Sequence, residues 1–146
     1  MNFEKGFTLI ELMVVVAIIG LLSTIVLVNT QSTRFMAHDA NIQSIMHQLR
    51  NEAELIYSRS GENYSTICDE SNNTLSNEGE IGLLEKRIRE DNGGQNVTCF
   101  ESASKKDFAA SSPLRSQPGK YWCVESVGLS REIDNQITTA RCQELK

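Results

Sequence analysis

From Phe7 to Val28 the chain is apolar almost without a break: Phe-Thr-Leu-Ile-Glu-Leu-Met-Val-Val-Val-Ala-Ile-Ile-Gly-Leu-Leu-Ser-Thr-Ile-Val-Leu-Val. As a helix rising 1.5 Å per residue this run is roughly 33 Å long, enough to cross a bilayer. Glu11 is its one charged side chain. An acid at such a place costs on the order of 3 kcal/mol to insert, which marks it as a functional residue in need of a partner. Past Val28 the pattern changes from continuous to periodic. Phe35, Ile42, Ile45, Met46, Leu49, Ala53 and Ile56 recur at three- and four-residue steps, while Asp39, Gln43, Arg50 and Glu54 occupy other faces. No proline occurs from Met1 to Ser60, and Gly61 is placed to cap a helix end. The pattern predicts one helix from Phe7 to about Ser60, roughly 80 Å long. Its first half is apolar all round; its second half needs a folded partner along one stripe. Gly20 is the weak point, costing about 1 kcal/mol relative to alanine. Local unwinding with Ser23-Thr24 and close helix packing are its two readings.

Residues 62–95 are polar and broken by Asn63, Asn72-Asn73, Asn77, Gly79, Gly82 and Gly93-Gly94. Within them Ile81–Glu90 reads as a short helix, with Leu83, Leu84 and Ile88 on one face. Three N-x-[ST] triplets, at Asn63, Asn72 and Asn96, carry no information in so polar a stretch. Residues 96–100 and 121–127 have strand character. Lys106–Leu114 is a weaker strand, limited by Pro113 to an edge or an early end. Ser116-Gln117-Pro118-Gly119 signals a turn. A meander of three or four antiparallel strands on the amphipathic helix face follows, an α+β architecture. Phe100, Tyr121 and Trp122 read as core and sheet residues rather than as a ligand platform.

Composition narrows the function. A net charge of −5 over 146 residues argues against general binding of nucleic acid or anionic membranes. Cys68, Cys99, Cys123 and Cys142 all lie beyond the apolar run. Their even number points to an oxidising compartment and two disulfides, with three connectivities open. No C-x-x-C pair exists, and His38 and His47 stand about two and a half helical turns apart, too far to share a ligand. Both read as solvated or half-buried. Asp69-Glu70, Glu125, Glu132 and Asp134 lack calcium-loop spacing. No nucleophile elbow, phosphate loop, zinc helix or dinucleotide fingerprint is present. The expectation is a non-enzyme without cofactor or metal.

Three readings compete for the N-terminus. A secretory signal peptide needs a cationic start, a shorter core and a small-residue cleavage box, whereas Lys5 is offset by Glu4 and Leu22-Ser23-Thr24-Ile25 offers no such box. A plain membrane anchor leaves Glu11 unexplained. The third places a cut between Gly6 and Phe7, so that the apolar helix stays on the mature chain. Lys5-Gly6-Phe7-Thr8-Leu9-Ile10-Glu11 resembles the class III leader and N-terminus of type IV pilins and pseudopilins.

That resemblance implies a specific life history. Residues 1–6 would be the leader and residues 7–30 the membrane and assembly half of the helix. Residues 31–146 would form the globular head, with a variable αβ-loop at 62–95. A prepilin peptidase would cleave after Gly6 and N-methylate Phe7. Glu11 would then lie near the Phe7 amine of a neighbouring subunit. Mutual neutralisation in an apolar filament core favours the correct axial register, since a misplaced subunit leaves both charges unpaired. The favoured disulfides are Cys68–Cys99 and Cys123–Cys142. The second would close a loop over the C-terminal tail like the disulfide-bounded region of many pilins. The implied function is a subunit of a homo-oligomeric helical pilus, held in the inner membrane before an assembly platform and its ATPase move it into an extracellular filament. A pseudopilin of type II secretion or competence is the nearest alternative. A monomeric membrane-anchored binding module is the alternative of another class. No specific nucleic acid partner is expected.

Overall fold

The computed structural model describes residues 6–142, with the side chains of residues 26–29 outside the description. Residues 1–5 of the expected leader 1–6, and the tail after Cys142, therefore lie outside the described residues. Helix α1 spans Leu9–Arg59 and contributes to two compact units, residues 1–34 and residues 35–146.

In the first unit every described side chain from Gly6 to Ile25 and from Thr30 to Arg34 is exposed. An 18-residue window here has a mean hydropathy of 2.7, long and apolar enough to cross a membrane. Two of its polar side chains turn inward on the helix backbone. Ser23 Oγ donates to the Ile19 carbonyl at 2.8 Å and Thr24 Oγ1 to the Gly20 carbonyl at 2.9 Å. Such bonds satisfy the hydroxyls without water. Gly20 sits within the continuous helix, at ordinary φ, with no atom within 4 Å of where its Cβ would be.

The second unit folds around the rest of α1. Ile42, Ile45, Met46, Leu49 and Ala53 are buried, and Ile56 packs against them. The expected stripe is the observed one. Asp39 departs from its expected polar face: it is buried, for the reason given below. The helix ends where Gly61 takes the left-handed conformation (φ 72°) and Glu62 N–H donates back to Tyr57 O at 3.0 Å, a bond pattern that satisfies a terminal carbonyl. Helix α2, Gly79–Asn92, contains the expected Ile81–Glu90 and is longer by a few residues. Gly93 (φ 88°) ends it in the same way, with Gly94 N–H donating to Arg89 O at 2.7 Å. Gly82 is forced. A Cβ there would lie 2.3 Å from the Asn77 carbonyl oxygen, backbone that cannot swing aside.

One antiparallel sheet of six strands runs in sequence order: β1 Cys68–Asp69, β2 Thr74–Leu75, β3 Thr98–Glu101, β4 Phe108–Pro113, β5 Tyr121–Glu125 and β6 Ser130–Ile133. The expected count of three or four strands is too low. β1 and β2 are two-residue strands, too short to alternate. They are held by side-chain turns in which Asp69 accepts from Ser71 and Asn72 from Thr74, and by the Cys68–Cys99 disulfide. β6 was hidden because Ser-Arg-Glu-Ile offers a single apolar residue. β4 is not an edge strand: it pairs with both β3 and β5, and Pro113, at its last position, removes a donor only where the ladder ends.

Alternation along β4 and β5 divides the interior in two. Phe108, Ala110 and Val124 join Met46, Leu49 and Ile88 in the core beneath the helices. Ala109 and Cys123 face the other way, into a second cluster with Ile133, Ile137 and Cys142. Phe100 and Tyr121 pack on that second cluster and Trp122 on the first, all three half-buried. The segment after β6, residues 134–142, brings Ile137 and Cys142 to this second core and forms a lid over it. The Cys123–Cys142 disulfide fastens it, Glu125 accepts from Cys142 N–H at 2.7 Å, and Arg131 donates to the Cys142 carbonyl.

Candidate functional site

Helix α1 begins with a polar arrangement that the apolar run conceals. Thr8 precedes the first helical residue, and its carbonyl accepts the first helical bond from Leu12 N–H at 3.3 Å. Glu11 N–H donates to Thr8 Oγ1 at 3.3 Å. In return Glu11 Oε2 accepts from Thr8 N–H at 2.9 Å and from Thr8 Oγ1 at 2.8 Å. This is a capping box, a Thr at the cap and a Glu three residues on, each satisfying the other's free backbone N–H. The carboxylate also lies in the first turn, where the helix dipole favours negative charge. Caps of this kind contribute about 1 kcal/mol to helix stability.

The geometry changes the reading of Glu11. Its charge is drawn toward the N-terminal end of the helix and fixed beside Thr8, one residue from Phe7. Only Oε2 makes these bonds, so the carboxylate keeps acceptor capacity for another donor. Phe7 is 82% exposed. At Gly6 an added Cβ would meet no described atom within 4 Å.

Residues 1–27 match the family model for the prokaryotic N-terminal methylation motif. The N-terminus carries the motif of type IV pilins and pseudopilins. The match falls within the first unit and leaves the head of this pilin-like chain to its own structure. No solved structure matches the chain. The motif and the apolar helix together fit processing by a prepilin peptidase and anchoring in a membrane before assembly.

The other candidate residues lie in the head and do not converge. His38 Nδ1 lies 2.7 Å from Asp91 Oδ1 and is half-buried between α1 and α2. His47 is exposed, edge-on to Trp122 at 6.1 Å. Each acid once weighed for calcium has a partner elsewhere. Asp69 bonds to Ser71, which holds its carboxyl below the usual range, and Glu70 pairs with Lys105. Glu125 accepts from Cys142 N–H, and Glu132 and Asp134 pair with Lys120. Among the described residues no group of three or more His, Cys, Asp or Glu side chains is placed to hold a metal ion.

Two residues escaped the sequence reading. Thr8 had a signal, the T-x-x-E spacing directly before an apolar run. Asp39 had none. It accepts from Arg115 N–H at 2.6 Å and Ser116 N–H at 2.9 Å, and also from Ser116 Oγ. It thereby fixes the turn after β4 to the helix across more than seventy residues of sequence, which local periodicity cannot reveal.

Proposed function

We propose that this chain is a structural subunit of a type IV pilus filament, cleaved between Gly6 and Phe7, N-methylated at Phe7, and polymerised through its N-terminal helix. The observation that carries this reading is the first unit itself, an apolar helix with none of its described side chains buried and its one acid capped at the start. Side chains from Leu9 to Ile25 expose large apolar surfaces in every direction, which lipid or the helices of other copies must cover. Cleavage after Gly6 creates an amine on Phe7 next to a site already built to hold an acceptor. In the low dielectric of a helix bundle, an amine and a carboxylate from two copies attract strongly when in register and are costly when apart. The head supplies the surface: a sheet stapled by two disulfides suits an oxidising exterior.

Filaments sheared from cells and analysed by mass spectrometry test the proposal. The expected mature chain starts at N-methylated Phe7. An intact chain starting at Met1 in assembled filaments overturns it. Recovery only from the cell envelope, with no sheared filament, favours a secretion-type pseudopilin.

A further inference from the structure

A shallow groove of about 600 Å³ opens on the sheet face away from the helices. Its walls are the β1–β2 turn, the segment leading into β3, and residues 136–138 of the C-terminal lid. None of its ten lining residues is charged, and eight are Asn, Gln or Thr, although 23% of the chain is charged. Among the described residues, the side chains of Asn73, Gln95, Asn96 and Thr138 make no hydrogen bond within the chain. Their amides and hydroxyls are free to donate and accept at the rim. At the floor lies Phe100, half-buried, one part of its ring packed on the second core.

The walls are rigid. Asn73 holds a left-handed conformation (φ 56°), and its carbonyl accepts from Cys99 N–H at 2.9 Å. The Cys68–Cys99 bridge braces the same turn, while Cys123–Cys142 and a hydrogen bond from Gln136 to Thr98 Oγ1 fix the lid. A groove whose wall backbone is held in place loses less freedom on binding than a mobile loop would.

We propose that this groove is a binding site for a neutral oligosaccharide. Sugar hydroxyls both donate and accept, and amides and hydroxyls match them in both roles. The ring of Phe100 offers an apolar surface to the C–H face of a pyranose. The lack of charge excludes the salt links that sialylated, sulfated or phosphorylated ligands draw on. This inference concerns the head alone and stands whichever filament the chain builds.

The test uses the full chain in a detergent without a sugar headgroup, applied to immobilised neutral hexose and N-acetylhexosamine oligomers. Sialylated and sulfated oligosaccharides and extended neutral peptides serve as the comparison panel. The expected result is binding to a neutral oligomer that weakens about 10-fold or more in Asn96→Asp and in a Gln95→Ala, Asn96→Ala double variant, since each lost hydrogen bond costs up to about tenfold. Both positions are exposed, so these variants keep the fold. Phe100→Leu should also weaken binding; because Phe100 also packs on the second core, its near-UV spectrum is checked alongside. Failure to bind any neutral oligomer, preference for charged glycans or for peptides, or binding unaffected by both rim variants overturns the proposal.

Discussion

The two units of this chain place their apolar side chains in opposite ways. In residues 6–34 every described side chain is exposed, Phe7, Leu9 and Leu21 included, while residues 35–142 bury Ile42, Phe108 and Val124 completely. The head is therefore specified by contacts within the chain. The first unit is specified by what surrounds it: on the proposed function, lipid and then other copies. There the information lies in the exceptions to apolarity: Gly6, Thr8 and Glu11. A substitution should reveal which rule governs its unit, since changes in the first unit spare folding and disturb assembly, and changes in the second do the reverse.

Glu11→Val is expected to give the largest effect. Membrane insertion should be unchanged or improved, because the buried acid is gone. Filament yield should fall more than about tenfold, because the partner for the Phe7 amine goes with it. Thr8→Val separates the two roles of Glu11. It breaks the capping box, worth about 1 kcal/mol, but leaves the carboxylate in place, so its loss of yield should be much smaller. Equal losses from the two variants would show that Glu11 matters only as a cap.

Replacing Cys123 and Cys142 together by Ser attacks the other unit. The bridge closes a separation of 19 residues, and loops of that length contribute roughly 3 kcal/mol. The head should unfold at distinctly lower denaturant, the lid carrying Ile137 opening with it. Helix insertion in a membrane should not change. An unaltered denaturation midpoint would show that the second core holds the lid without its staple.

A matched pair of substitutions makes the contrast local. Gly82→Ala puts a methyl group against the Asn77 backbone and should destabilise the head by about 1–3 kcal/mol, read as a lowered denaturation midpoint. Gly20→Ala meets open space and should strengthen the helix by about 1 kcal/mol, read as higher helicity in micelles. The same chemical change thus carries opposite signs in the two units. A destabilising Gly20→Ala would mean that the isolated chain already uses that face.

How much could be read in advance follows the same division. The apolar run, Glu11 and the stripe from Ile42 to Ile56 were legible because helical periodicity is a local property. The Thr8–Glu11 box has a local signal too, the T-x-x-E spacing just before the apolar run. β1, β2 and β6 were not legible, since their residues are held by partners distant in sequence: Glu101 receives Cys68 N–H, and Arg131 reaches Cys142. For β4, Pro113 leaves an edge place and an early end both open, and only long-range pairing decides: the strand ends at Pro113 with partners on both sides. Asp39 looked like solvated surface and is an anchor, since its donors come from the turn after β4.

The smallest expected effect is the response of the head to pH. Burial pushes Glu85 above the ordinary carboxylate range, with Arg89 at 3.9 Å pulling it back only in part. Burial likewise raises Glu101, against the opposing hydrogen bonds from Cys68 and Ile67 N–H. A carboxyl whose folded pKa lies above its unfolded one, about 4.3 for Glu, binds protons more readily in the folded state. Stability from these two groups therefore rises as pH falls from neutral through their folded values, and levels off below the unfolded value. Asp69, held low by Ser71, works in the opposite sense, but it is only half-buried and its share is screened. Glu85→Gln isolates the effect, because its side chain is only 6% exposed and Arg89 is its one ionic partner among the described residues. The variant should be slightly more stable than the parent at pH 7, with the gain shrinking toward pH 4 as the parent's own carboxyl becomes neutral. Denaturant midpoints at pH 7 and pH 4 check it: a variant weaker than the parent at pH 7 would mean that the Arg89 pair outweighs the cost of burying the charge.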